Sequence, residues 1–264
     1  MQLAYCRRMG LALIAVVTIA MTSCSSEPDT PTAAPMAQIA SNSETAPAEN
    51  GIDQLPPEEA LGTVIANLDD AGTYRVSGTT SAGSTIDITF KTGEGSVGTV
   101  ITDSEVELVA HDGVVYITSD AATIADIVGA DVDDTIADKW LLISPESSSS
   151  FSIFAEGSDF AEAVLGSQVQ GELTSVQEVN GVPAVGLMFA ETGGTLWITA
   201  TGEPLPLRFE EKGASGGSGI LTFSDFGEDV DVEVPDEDDV VDPSTLPSED
   251  DEDDDAEADE SSED

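Results

Sequence analysis

Through the middle of the chain apolar residues fall at every second position, in short runs separated by turn residues. Ile86, Ile88 and Phe90 alternate with Thr85, Asp87, Thr89 and Lys91, and Tyr74 and Val76 carry the same period just before them. A period of two gives a strand one face for a core and one for water. Val106, Leu108 and Ala110 lead into His111-Asp112-Gly113, after which Val114, Val115, Tyr116 and Ile117 return, and Asp-Gly between such runs marks a hairpin. The spacing predicts more strands over residues 172–178, 182–190, 195–201, 205–210, 220–226 and 230–234, with Asn180-Gly181 and Thr201-Gly202 as turns. Strands joined by such short turns pair antiparallel. Residues 182–189 (VPAVGLMF) are apolar on both faces and call for cover on both sides, from protein or from something held in a cavity.

Helical spacing interrupts the alternation. Leu61, Val64, Ile65 and Leu68 repeat at i, i+3, i+4 and i+7, with Pro56 and Pro57 at the start and Gly72 at the end. Ile124, Ile127 and Val128 give residues 121–128 the same character, and Trp140-Leu141-Leu142-Ile143 reads as a short buried strand. Phe151 and Phe154 belong to another helical stretch. A further one starts at Asp159, whose carboxylate with Glu162 fits a capping box, and Gly166 is placed to end it in the left-handed conformation.

The first fifty residues have a different composition. Arg7 and Arg8 precede an apolar run at residues 11–20 (LALIAVVTIA), too short for a comfortable membrane span, so residues 1–23 read as an export signal. Met21-Thr22-Ser23-Cys24 resembles the bacterial lipobox, with Met21 where Leu is usual, which makes Cys24 the lipid-attachment residue, acylated on sulfur. Acyl chains contribute about 0.8 kcal/mol per buried methylene, enough in combination to hold the protein to the outer side of a cell membrane. Residues 24–54, rich in Pro, Ala, Ser, Thr and Glu, form a solvated linker.

Charge and rare residues narrow the chemistry. With 53 acidic and 7 basic residues the formal net charge is −46, which disfavours polyanionic partners and sets nucleic-acid binding aside. Cys6 and Cys24 are the two cysteines, so the rest of the chain has neither disulfide nor thiolate site, and His111 is the one histidine. His111 sits in a turn and serves the turn. Gly213-Ala214-Ser215-Gly216-Gly217 matches the G-x-S-x-G string but precedes a strand where that motif needs a helix. Asp131-Val132-Asp133-Asp134 lacks the Gly and Glu of a calcium loop and reads as a solvated turn. No catalytic set, metal site or cofactor is expected, and the chain does not read as an enzyme. Residues 236–264 form an acidic tail, disordered by like-charge repulsion, with weak cation binding or contact with a basic envelope partner as its other readings.

Taken in order, lipobox, linker, helix, strands, a helical insertion around Asp138-Lys139-Trp140 and a strand meander resemble the mycobacterial LppX/LprAFG lipoproteins, which are related in shape to the lipoprotein carrier LolA. The local matches are His111-Asp112-Gly113-Val114-Val115-Tyr116, Asn180-Gly181-Val182-Pro183-Ala184, Thr195-Leu196-Trp197-Ile198 and Phe223-Ser224-Asp225-Phe226-Gly227-Glu228-Asp229-Val230. The resemblance covers residues 55–235. It implies an α+β fold, an antiparallel sheet bent into a half-barrel with helices over its concave face and an apolar cavity between them. It also implies an amphipathic lipid or glycolipid as ligand. Ile86, Ile88, Phe90, Ile117, Phe154, Phe160, Leu187 and Met188 are the expected cavity residues. The acidity and the tail depart from the mycobacterial pattern. The other reading is a structural or regulatory envelope module that binds a protein partner and carries no lipid.

Overall fold

Pro57 occupies the first turn of a helix, α1 (Pro57–Ala71), where its missing N–H costs nothing. Leu61, Val64 and Leu68 are buried along one side, and Gly72 (φ 75°) closes the helix, its N–H donating to the Asp69 carbonyl. The computed structural model describes residues 49–128, 132, 136, 139–143, 150–166, 168, 170–213 and 216–245. The expected signal peptide, Cys24 and the acidic run at residues 249–255 lie outside the described residues, as do Asp131, Asp133, Asp134 and Ser215.

Five strands follow α1: β1 (Thr73–Thr79), β2 (Thr85–Lys91), β3 (Gly95–Ile101), β4 (Glu105–His111) and β5 (Val114–Thr118). Helix α2 (Ala121–Val128), strand β6 (Trp140–Ile143) and the short helix α3 (Gly157–Ala161) come next. Then come β7 (Gln170–Leu173), β8 (Gln177–Val179), β9 (Val182–Phe189), β10 (Thr195–Thr199), β11 (Pro206–Lys212), β12 (Ser218–Ser224) and β13 (Val240–Val241). They form one open 13-stranded sheet in the order β13-β6-β5-β4-β3-β2-β1-β12-β11-β10-β9-β7, with β8 also on β9. Every pairing is antiparallel except β13 beside β6. The architecture is therefore α+β, a curved, unclosed, mostly antiparallel sheet with helices against one face.

The period-two residues supply that face. Ile86, Ile88 and Phe90 align with Val100, Gly98 and Ser96 of β3, which align with Val106, Leu108 and Ala110 of β4. Leu221 faces Phe209, which faces Leu196, which faces Leu187. These residues share a single apolar cluster with Leu61, Val64 and Leu68 of α1 and Phe160 and Ala161 of α3. Two of the three sequence-marked turns have left-handed backbones at both residues, Asp112 (φ 50°) with Gly113 (φ 79°) and Asn180 (φ 52°) with Gly181 (φ 82°), as two-residue hairpins require, while at Thr201-Gly202 only the glycine (φ 70°) does.

Several local expectations are revised. The single strand expected over residues 172–178 is two, β7 and β8, because the Thr174 hydroxyl accepts the Gly186 N–H at 2.9 Å and interrupts the ladder. Residues 230–234 belong to no strand of the sheet. Asp159 lies inside α3, whose cap position is Glu156 with no side-chain cap bond, and the chain passes into a π turn at Glu162–Gly166. Gly166 is not left-handed. At the ends, Ile52 is buried in the core and Val240–Val241 joins the sheet, so the packed unit takes in residues on both sides of 55–235.

The route to β13 is a strap across the outer face. Lys91 Nζ donates to the Val230 carbonyl at 3.3 Å, and Lys139 Nζ donates to the Asp238 carbonyl at 2.9 Å and to Asp239 Oδ1 at 2.6 Å. Eight extended residues reach about 26 Å, against about 19 Å for the four strand spacings from β2 to β6. Val230 and Val232 are half-buried while Asp231 and Glu233 are exposed. Val109, an outer-face residue in register with Val97 and Tyr116, is only 6% exposed on that route.

Four of the five described basic residues are spent on such internal ties, Arg75 on Asp87 and Asp225, Lys91 on Glu94, Lys139 on Asp239 and Arg208 on Glu210, while Lys212 is exposed. The remaining carboxylates repel one another. Raising salt from 0.1 M to 1 M shortens the Debye length from about 10 Å to about 3 Å, so the melting temperature is expected to rise over that range. A flat or falling melting temperature would show that self-repulsion is not a significant destabilising force.

Candidate functional site

Where β2, β3 and β4 end in their hairpin turns, Ile86, Val100 and Val106 stand side by side on the core face. Opposite them lie Ile127 of α2, Phe154 of a 3-10 turn at Ser152–Phe154, and Phe151 at the cap of that turn. Between the two layers is a pocket of about 530 Å³. Its floor is apolar, and its rim carries Thr80, Ser84, Thr102, Asp103, Ser104, Thr123, Asp126 and Ser150. The volume lies in the range of small-molecule sites, roughly 300–1,000 Å³.

The far wall is fastened to the sheet by buried hydrogen bonds. Ser96 Oγ donates to the Phe154 carbonyl and Tyr74 Oη to the Gly157 carbonyl, each at 2.6 Å. Burial, reinforced by the charges of Asp69 and Glu156, pushes the Tyr74 phenol well above its ordinary range, so it remains a donor. A ring series continues the contact, with centroids 5.1 Å apart for Tyr74–Phe90, 4.9 Å for Phe90–Phe160 and 6.0 Å for Phe160–Phe154. On the other wall Asp120 accepts the Thr123 N–H and hydroxyl at 3.0 and 2.9 Å, which hold its carboxyl below the usual range and cap α2.

Ser96→Ala is expected to destabilise the domain by about 1–3 kcal/mol, because the Phe154 carbonyl is left buried and unpaired. Urea denaturation checks it; a change of a few tenths would mean that carbonyl has another donor.

Two of the expected cavity residues, Ile86 and Phe154, line this pocket. Ile88, Phe90, Ile117, Phe160 and Leu187 are buried in the packed cluster beyond it, and Leu187 lies on β9, far along the sheet from β3. Met188 is 40% exposed on the opposite face of β9 from Leu187. At Gly186 the outer side of β9 is covered by protein, the side chains of Thr195, Trp197 and Thr174. Val100, Val106, Ile127 and Phe151 also line it and were not among the expected cavity residues. Val100 and Val106 could have been found by carrying the Ile86 row across the next two strands.

His111 ends β4, its Nε2 3.5 Å from Asp112 Oδ2, and Gly213 and Gly217 close the β11–β12 turn through backbone bonds. Among the described residues no group of three or more His, Cys, Asp and Glu is placed to hold a metal, and no helix is long and apolar enough to cross a membrane.

No protein-family model matches the chain, and no curated protein matches it. Among solved structures, the crystal structure of LprF from Mycobacterium bovis is similar, with 14% identity, 68% of this chain and 96% of that chain covered, and a TM-score of 0.44.

Proposed function

We propose that the domain binds an amphipathic lipid or glycolipid as a non-catalytic envelope lipoprotein, tethered through acylated Cys24 to the extracytoplasmic side of the cell membrane. The observation that carries the reading is the pocket at the ends of β2, β3 and β4, with an apolar floor and a hydroxyl-rich rim. Removing apolar surface from water contributes about 25 cal/mol per Å², so such a floor can hold an alkyl chain without any reactive group. Native mass spectrometry of the full chain released from its own membrane is expected to show a bound lipid mass. An apo mass alone, with no uptake of added lipid, would overturn the proposal.

One observation favours a second reading. Ile88, Phe90, Ile117, Phe160 and Leu187 fill the interior where a wide cavity was expected. A filled core suits an envelope module that presents its surface to a protein partner, and the apo outcome above is the one that reading expects.

A further inference from the structure

We infer that the pocket takes an amphiphile with a single alkyl chain and an uncharged, hydroxyl-bearing head, and rejects anionic heads. This rests on the lipid-binding reading and narrows it. At about 30 Å³ for a group the size of a water or methylene, the pocket's volume of about 530 Å³ holds roughly eighteen such groups, one chain and not two. The interior beyond Ile86 is occupied by Ile88 and Phe90, both without exposure, so a second chain has nowhere to continue.

The rim sets the head. Ser84 and Thr102 offer hydroxyls that both donate and accept, the complement of a polyol, and the Ser104 hydroxyl beside them is engaged by Asp120. The Thr80 hydroxyl oxygen is buried and has no hydrogen-bond partner among the described residues. Asp103 and Asp126 stand exposed at the same rim, with no lysine or arginine among the lining residues. Arg75, Lys91, Lys139 and Arg208 are tied to carboxylates elsewhere, and the Lys212 ammonium lies by Gly193 in the β9–β10 turn, outside the lining. A phosphate or carboxylate entering here meets like charge inside one Debye length, with no cation to offset it.

The test uses the full chain with Cys24→Ser, kept free of detergent, and three probes below their micelle concentrations. These are monododecanoylglycerol, dodecyl phosphate and didodecanoylglycerol, with binding followed by native mass spectrometry. One monododecanoylglycerol per chain is expected, with the other two bound at least about tenfold more weakly at 0.1 M salt. Asp103→Lys with Asp126→Lys, both at exposed positions, is expected to bring dodecyl phosphate up to the neutral probe. Equal binding of dodecyl phosphate by the unaltered rim, or of the two-chain probe, would overturn this inference and leave lipid binding standing. Failure of all three probes would overturn both.

Discussion

Gly98→Val is expected to abolish cooperative folding. A Cβ at residue 98 would sit 2.1 Å from the Asp87 carbonyl oxygen and 2.6 Å from the Ile88 Cα, both backbone atoms of the neighbouring strand. No rotamer relieves that, so β2 and β3 would have to separate at a point where Gly98 is registered with Ile88 on one side and Leu108 on the other. Gly78 reports the same geometry two strands over, on β1, with φ 142° and a would-be Cβ 2.0 Å from the Ile220 carbonyl oxygen. Glycines at such positions let a strand bend sharply enough to curve the sheet. A loss above about 4 kcal/mol is expected, comparable with the roughly 5–15 kcal/mol that holds a domain together. A thermal melt within a few degrees of the unaltered chain would refute it. Gly62 is the control: it is exposed on α1 with nothing within 4 Å of a Cβ, and Gly62→Ala should stabilise by about 0.5–1 kcal/mol.

The second large effect is Phe90→Ala, expected to cost about 3–5 kcal/mol. The Phe90 ring has no exposure and lies between Tyr74 and Phe160, joining the sheet to α3. Truncation removes the ring and leaves a void whose walls are held apart by the Tyr74–Gly157 and Ser96–Phe154 hydrogen bonds, so little collapse follows. Urea denaturation measures the loss. A cost below about 1.5 kcal/mol would mean that the layers close over the gap and that the ring series is not a rigid spacer.

The sequence carried the strands that have one clean apolar face. Ile86-Ile88-Phe90 and the Asp112-Gly113 and Asn180-Gly181 hairpins were legible because a period of two and a left-handed turn are local properties. Strand β3 (GSVGTVI) was not, since Ser96 and Gly98 occupy two of its three core-facing positions, where a reader looks for bulk. Those residues are small because neighbouring backbone or the 150–157 segment comes close there, which is a tertiary fact. The candidate site was less legible still. Alternation gives the face of Ile86, Ile88 and Phe90 but not depth along the strand, so it cannot separate the residue at the pocket from the two packed beneath α3. Met188 went to the outer face by the same alternation that put Leu187 in the core.

The two-residue β13 has an outcome out of proportion to its size. At this border of the sheet β6 would offer unsatisfied N–H and carbonyl groups to any neighbouring molecule, the usual start of strand-by-strand fibre growth. Val240 and Val241 occupy that row themselves, running parallel to β6, and Asp238, Asp239 and Asp242 place negative charge beside it. A second copy approaching edge-on meets a seat already taken and a field of its own sign, so the carboxyl-terminal segment guards the molecule against stacking on itself.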